Sequence, residues 1–135
     1  SMSPALTTVF SDAPRVQQAP TTADEFTVQV VRIHTRDTLV LITSGPFLSR
    51  SIIAYSALRP EGPWSQGKVI YEVPNVREGV IVYAAKGHAH LSRPGELLVS
   101  YATNADLGKV FNDASLYRPR FVRIPIALLP EPPKN

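Results

Sequence analysis

Apolar and polar residues alternate with a period of two along residues 26–33 (F-T-V-Q-V-V-R-I), the spacing that sends successive side chains to opposite faces of a strand with one face buried. Phe26, Val28 and Val30 share one face, and we expect that face to be the buried one. Arg36-Asp37 supplies a turn, after which residues 39–43 (L-V-L-I-T) form a continuous apolar run of the length of a strand covered on both sides. The two read as a hairpin. Beyond Gly45-Pro46, residues 51–56 give a third strand, and residues 68–73 a fourth after the Arg59 to Trp64 turn, so the first half reads as a four-stranded meander. The pattern then restarts. Residues 80–85 are apolar, residues 86–93 break the run, Pro94-Gly95 turns the chain, and residues 96–101 complete a second hairpin. A polar loop over 102–116, with a helical turn expected at 106–110, leads to residues 120–125, where Pro125 marks an edge strand or a strand end.

Four segments follow: an irregular arm over 1–24 with one short strand at 7–10 (T-T-V-F), a first sheet unit over 25–78, a second over 79–127, and a proline-rich tail over 128–135 expected to add little to a core. A meander that starts again after some fifty residues is the pattern of a propeller, whose blades are four-stranded antiparallel sheets. The fold class expected is therefore all-β, about two antiparallel blades of a β-propeller. Two blades do not close a ring, so the expected partners are the missing blades, from a second chain or by self-association. Regularly spaced short strands also fit a β-sandwich.

Composition narrows the function classes. Of 135 residues, 44% are hydrophobic and 19% charged, which fits a folded core, and 13 prolines disfavour long helices. The absence of cysteine excludes disulfide scaffolds, iron–sulfur clusters and a cysteine nucleophile. A net charge of +3 is spread over scattered Lys and Arg with no basic run, so no nucleic-acid partner is expected. Nor is a membrane span, since no apolar stretch approaches the roughly 20 residues required. Ser1-Met2-Ser3-Pro4 lacks a basic segment followed by an apolar one. There is no G-x-S-x-G elbow, P-loop or G-x-G-x-x-G.

Three segments, in order, carry a resemblance: Tyr55-Ser56-Ala57-Leu58-Arg59-Pro60-Glu61-Gly62-Pro63-Trp64; Tyr83-Ala84-Ala85-Lys86-Gly87-His88-Ala89-His90-Leu91-Ser92 with residues 95–104 (G-E-L-L-V-S-Y-A-T-N); and Leu116-Tyr117-Arg118-Pro119-Arg120-Phe121-Val122-Arg123. Together, over about residues 26–126, they resemble the C-terminal two blades of bacterial five-bladed propellers of domain-of-unknown-function family 4185, akin to glycoside hydrolase families 43 and 62. The resemblance implies a carbohydrate partner such as an arabinan-type glycan, acidic catalytic residues at a channel mouth, an active form that needs all five blades, a secreted or cell-envelope location, and a calcium ion as the candidate cofactor.

The candidate site residues fall where strands end. Lys86, His88 and His90 lie where an apolar strand turns polar, which the propeller reading places beside the channel; the resemblance gives His88 a part in orienting a carboxylate or meeting a cation. His88 is equally readable as a turn histidine bonded to backbone. His88 and His90 are also a weak metal pair, since imidazole is a common ligand. Tyr101 and Asn104 could stack on and bond a sugar, or Tyr101 is a core-edge tyrosine. Arg118 and Arg120 could hold an anion or fix the closing strand by salt bridges. Trp64 is a sugar platform or a packing residue. Glycosidases use two carboxylates about 5 to 10 Å apart; Glu78 and Asp113 are the shortlisted catalytic acids. The function expected is a glycoside-hydrolase-like part that binds or cleaves polysaccharide when complete. The alternatives are a non-catalytic β module for glycan or protein recognition and a purely structural β domain.

Overall fold

A computed structural model describes residues 20–23, 25–46, 49–74, 81–104 and 119–134, with only the backbone of Asn104. The strand and helical turn expected at 7–10 and 106–110 lie outside them. The described chain is all-β, in two antiparallel sheets. The first has the order β1-β2-β3-β4, formed by Phe26–Ile33, Arg36–Ser44, Ser51–Ala57 and Lys68–Glu72. The second has the order β5-β6-β7, formed by Ile81–Gly87, Glu96–Asn104 and Arg120–Pro125. Each sheet is a meander, as sequential short connections favour. Pro125 ends the edge strand β7, where its missing N–H costs no ladder bond.

The first hairpin turns at His34-Thr35, two residues earlier than Arg36-Asp37. Arg36 and Asp37 instead pair with Ile33 and Arg32 in the ladder, and Arg32 Nη1 sits 2.8 Å from Asp37 Oδ1. His34 takes the positive φ of 56° that this two-residue loop requires.

Between the sheets lies the main core. Val31 and Ile33 of β1, Val40 and Ile42 of β2, Ile52 and Ala54 of β3 and Ile70 of β4 meet Val82, Ala85, Leu97, Val99, Tyr101 and Ile124 of the second sheet. Polar ties join the layers: the Ala85 N–H donates to Ser44 Oγ at 3.2 Å, and the Gly87 N–H donates to Thr27 Oγ1 at 2.8 Å. Leu129 also enters this core at 4% exposure, so the tail contributes more than its prolines suggested. A further tie from the tail is the 2.7 Å contact of Glu131 Oε1 with His34 Nε2.

The inward face of β1 is not the expected one. Thr27, Gln29, Val31 and Ile33 point to the core, while Phe26, Val28 and Val30 are 47%, 47% and 56% exposed. The ladder extends this outward stripe across the sheet: Phe26 pairs with Thr43, Ile53 and Val69 in one row, Val28 with Leu41 and Tyr55 in the next, Val30 with Leu39 and Ala57 in the third. Trp64 closes the third row from the β3–β4 connection, bridging to Ala57 and donating its Nε1–H to the Pro60 carbonyl at 3.0 Å. The first sheet is therefore apolar on both faces, and β2 is buried on both.

Candidate functional site

The second sheet differs in its outward face. Because the side-chain period is two, Leu97, Val99 and Tyr101 of β6 point to the core and Glu96, Leu98, Ser100 and Ala102 point away. A β-bulge in β5 sets what stands opposite them. Tyr83 pairs with Ala102 and Lys86 with Ser100, so Ala84 and Ala85 on β5 stand against the single residue Tyr101 on β6, and Ala84 takes a φ of 55°. On the other side Phe121 pairs with Ser100. One row thus crosses the sheet: Lys86, Ser100, Phe121. A cation, a hydroxyl and an aromatic ring that is 59% exposed stand side by side.

His88 completes the group. It follows β5 directly, and its Nε2 lies 2.7 Å from Ser100 Oγ while its ring centroid is 6.2 Å from that of Phe121. Its backbone is pinned on both sides: the N–H donates to the Leu98 carbonyl at 2.8 Å, and the carbonyl accepts from Ser92 Oγ at 2.8 Å. Ser92 Oγ in turn accepts the Leu98 N–H at 2.8 Å. Partial burial, with His90 and Lys86 beside it, holds the His88 imidazole below its ordinary proton affinity. Lys86 reaches Glu25 at 3.2 Å, and Arg123 reaches Glu96 at 3.7 Å, so the face is charged at its margins.

The structure brings only some of the sequence candidates together. Lys86 and His88 share the row's neighbourhood, and His90 sits in the exposed 3-10 turn Ala89–Leu91 with its ring 6.3 Å from that of His88, edge to face. Tyr101 lies on the opposite face of β6, buried between the sheets with its ring 6.2 Å from Tyr71. That burial and the Tyr71 contact raise its hydroxyl pKa. Arg120 pairs with Tyr101 at the start of β7, and Asn104 ends β6 opposite Ile81. Glu78, Asp113 and Arg118 lie outside the described residues. Among the described residues no three His, Cys, Asp or Glu gather as a metal set. Trp64 packs on Leu41 and Ala57. Ser100 was not a sequence candidate: a lone serine in L-L-V-S-Y reads as an ordinary outward strand position, and only the ladder sets it against Lys86 and His88, which stands 12 residues earlier.

A separate cleft of about 620 Å³ opens at the other end of β5, lined by Thr21, Ile53, Tyr55, Ile81, Tyr83 and the bulge residue Ala84, among others. Tyr55 Oη pins the entering chain there, accepting the Thr21 N–H at 3.3 Å and donating to its carbonyl at 3.1 Å.

Two face-packed antiparallel meanders, one carrying a histidine–serine pair on its outward face, define a two-sheet β protein. The chain belongs to the family described as domain of unknown function (DUF5005), whose model matches residues 9–126. Among solved structures it is similar to one from Bacteroides ovatus named a "putative hydrolase", at 28% identity and a TM-score of 0.54. The match covers 64% of this chain and 24% of the Bacteroides protein, so it spans about a quarter of that relative's length. No curated protein matches. No helix among the described residues is long and apolar enough to cross a membrane.

Proposed function

We propose that this chain is a two-sheet part of a larger, propeller-type hydrolase that binds or cleaves a polysaccharide, with arabinan-type glycan as the first candidate. The observation that carries the reading is the outward face of β1–β4, apolar in three successive rows except for Thr43 in the first. Sheets apolar on both faces are middle layers, and the exposed part of this face, Phe26, Val28, Val30 and Val69, is an apolar patch of the kind that marks an interaction surface. The hydrolase neighbour, about four times longer than the matched region, supports a parent with further sheets to cover it. Meanders of three and four strands packed face to face are consistent with adjacent blades.

The glycan enters on the outward face of the second sheet. Phe121 offers an exposed ring to a sugar's apolar side, flanked by His88 and Lys86 for its hydroxyls. The same ring favours the second reading, a glycan-recognition module without catalysis.

Light scattering on the lone chain tests the first reading. A chain that associates, and becomes a monomer when Val28 and Val30 are both changed to Lys, is the expected result; a wild-type monomer at high concentration would refute the missing-layer reading. Titration of arabinan oligosaccharides against wild type and Phe121→Ala tests the glycan face, which fails if no binding is seen or if the variant binds equally well.

A further inference from the structure

Ser100 and His88 are placed for more than sugar contact. The 2.7 Å separation of Ser100 Oγ and His88 Nε2 is that of a hydroxyl nucleophile and its base. Bonds to Leu98 and Ser92 fix the His88 backbone on both sides, and its ring lies beside those of Phe121 and His90, which limits where the imidazole can turn. The low proton affinity of His88 keeps the imidazole neutral and able to accept a proton near neutrality. Lys86 stands in the same ladder row as Ser100 and adds a cation to the neighbourhood of the pair, with its ammonium 3.2 Å from Glu25.

We propose that Ser100 and His88 form a nucleophile–base pair that hydrolyses small acyl esters, with O-acetylated sugars as the substrate class. The surroundings select the acyl size. Among the described residues, neither the cleft beside Ala84 nor the hollow beside Pro94 is lined by Ser100 or His88, so neither of them offers a long acyl chain a way to the pair. A sugar-sized alcohol portion has Phe121 to lie against. The proposal rests on the hydrolase part of the preceding reading and is independent of propeller closure and of arabinan.

In the first half-reaction Ser100 Oγ attacks the acetyl carbonyl carbon and its proton passes to His88 Nε2. The bond from the carbonyl carbon to the sugar oxygen then breaks, and that oxygen takes the proton from His88. This leaves acetyl-Ser100 and a free sugar hydroxyl. Water next attacks the acetyl carbon and gives its proton to His88. The bond to Oγ breaks, Oγ is reprotonated from His88, and acetic acid leaves.

The full chain is treated with a biotinylated fluorophosphonate and the labelled residue mapped by peptide mass spectrometry, alongside turnover of p-nitrophenyl acetate and octanoate and acetate release from a per-O-acetylated cello-oligosaccharide. Labelling is expected at Ser100, lost in Ser100→Ala, and slowed by about 100-fold or more in His88→Ala. Added imidazole should partly restore labelling in His88→Ala, a rescue that a purely structural histidine would not give. The acetate ester should turn over at least about tenfold faster than the octanoate, as one or two kcal/mol of misfit implies. Thermal melts check that each variant folds. If one does not, the wild-type labelling position decides the matter.

A folded wild type unlabelled at Ser100, or a folded His88→Ala labelled at the wild-type rate, overturns the pair. Labelling without acetate release from the sugar overturns the substrate class. Loss of arabinan binding with Ser100 labelling and acetate release intact would instead strike the glycan reading and leave the pair standing.

Discussion

Replacing Gly87 with alanine probes the joint between the two sheets. Gly87 sits at the end of β5 against the inward face of β1, and a Cβ there would lie 2.6, 2.7 and 2.8 Å from Gln29 Oε1, Cδ and Nε2. Those atoms belong to a flexible side chain, so in isolation the clash could be relieved cheaply. Here the amide is anchored, because Gln29 Nε2–H donates to the Val40 carbonyl at 2.6 Å beneath the sheet. Swinging Gln29 aside breaks that bond at a cost of about 1 to 3 kcal/mol where the group is buried. Gly87 has no positive φ, so alanine also gains about 0.4 to 1 kcal/mol by restricting the unfolded chain. The net expectation is a loss of about 1 to 2 kcal/mol, or a Tm lower by roughly 3 to 8 °C for a chain of this size. Urea and thermal unfolding of Gly87→Ala, Gln29→Ala and the double variant measure it. The double variant should lose less than the sum of the two singles, since Gln29→Ala removes the obstacle. Additive losses, or a Gly87→Ala protein as stable as wild type, would refute the anchored-amide reasoning.

Three further outcomes follow from local geometry. Ala84→Gly should raise stability by about 0.5 to 1 kcal/mol in urea unfolding, because a left-handed alanine costs about 1 to 2 kcal/mol and glycine gives back part of that in chain entropy. Ser44→Ala should lower it by about 1 to 3 kcal/mol by leaving the buried Ala85 N–H without its acceptor, and an unchanged urea midpoint would contradict that bond. His88 binds its proton less readily folded than unfolded, so below its ordinary pKa of 6.5 the unfolded chain takes up the proton first and stability falls with pH until the folded group also titrates. His88→Gln should therefore be less acid-sensitive across that window, and equal slopes in wild type and variant would count against the shift.

Most of the strand pattern was legible because each strand declares itself by period and by its bounding turns. What the alternation could not declare was which side of β1 faces in. Val30-Val31 is an apolar doublet, so both faces of β1 carry hydrophobes, and the choice fell to contacts with β5 sixty residues away. Arg36-Asp37 had the composition of a turn, yet the short loop at His34-Thr35 let both join the ladder. For the site, parity was decisive. Tyr101 and Ser100 are neighbours in sequence, and the pleat necessarily sends them to opposite faces: the tyrosine to the core, the serine to Lys86 and His88. The β5 bulge, which sets Lys86 opposite Ser100, has no marker in Tyr83-Ala84-Ala85-Lys86, since alanine is an unusual residue for a left-handed position.

The two outward faces of this chain are chemically unequal, and that inequality governs how copies of it can grow. A block with two alike sticky sides would stack without end, as exposed sheet layers in fibres do. Among the described residues the exposed apolar stripe Phe26, Val28 and Val30 lies on the first sheet, while the outward face of the second mixes Phe121 with Lys86, Glu96 and Arg123. Left alone in solution, it can satisfy its apolar side by turning that side to the same side of a twin, a pairing that closes on itself after two copies. A pair formed in that way would carry the second sheet at both ends, with Phe121 of each copy exposed and Ser100 covered beneath its neighbours.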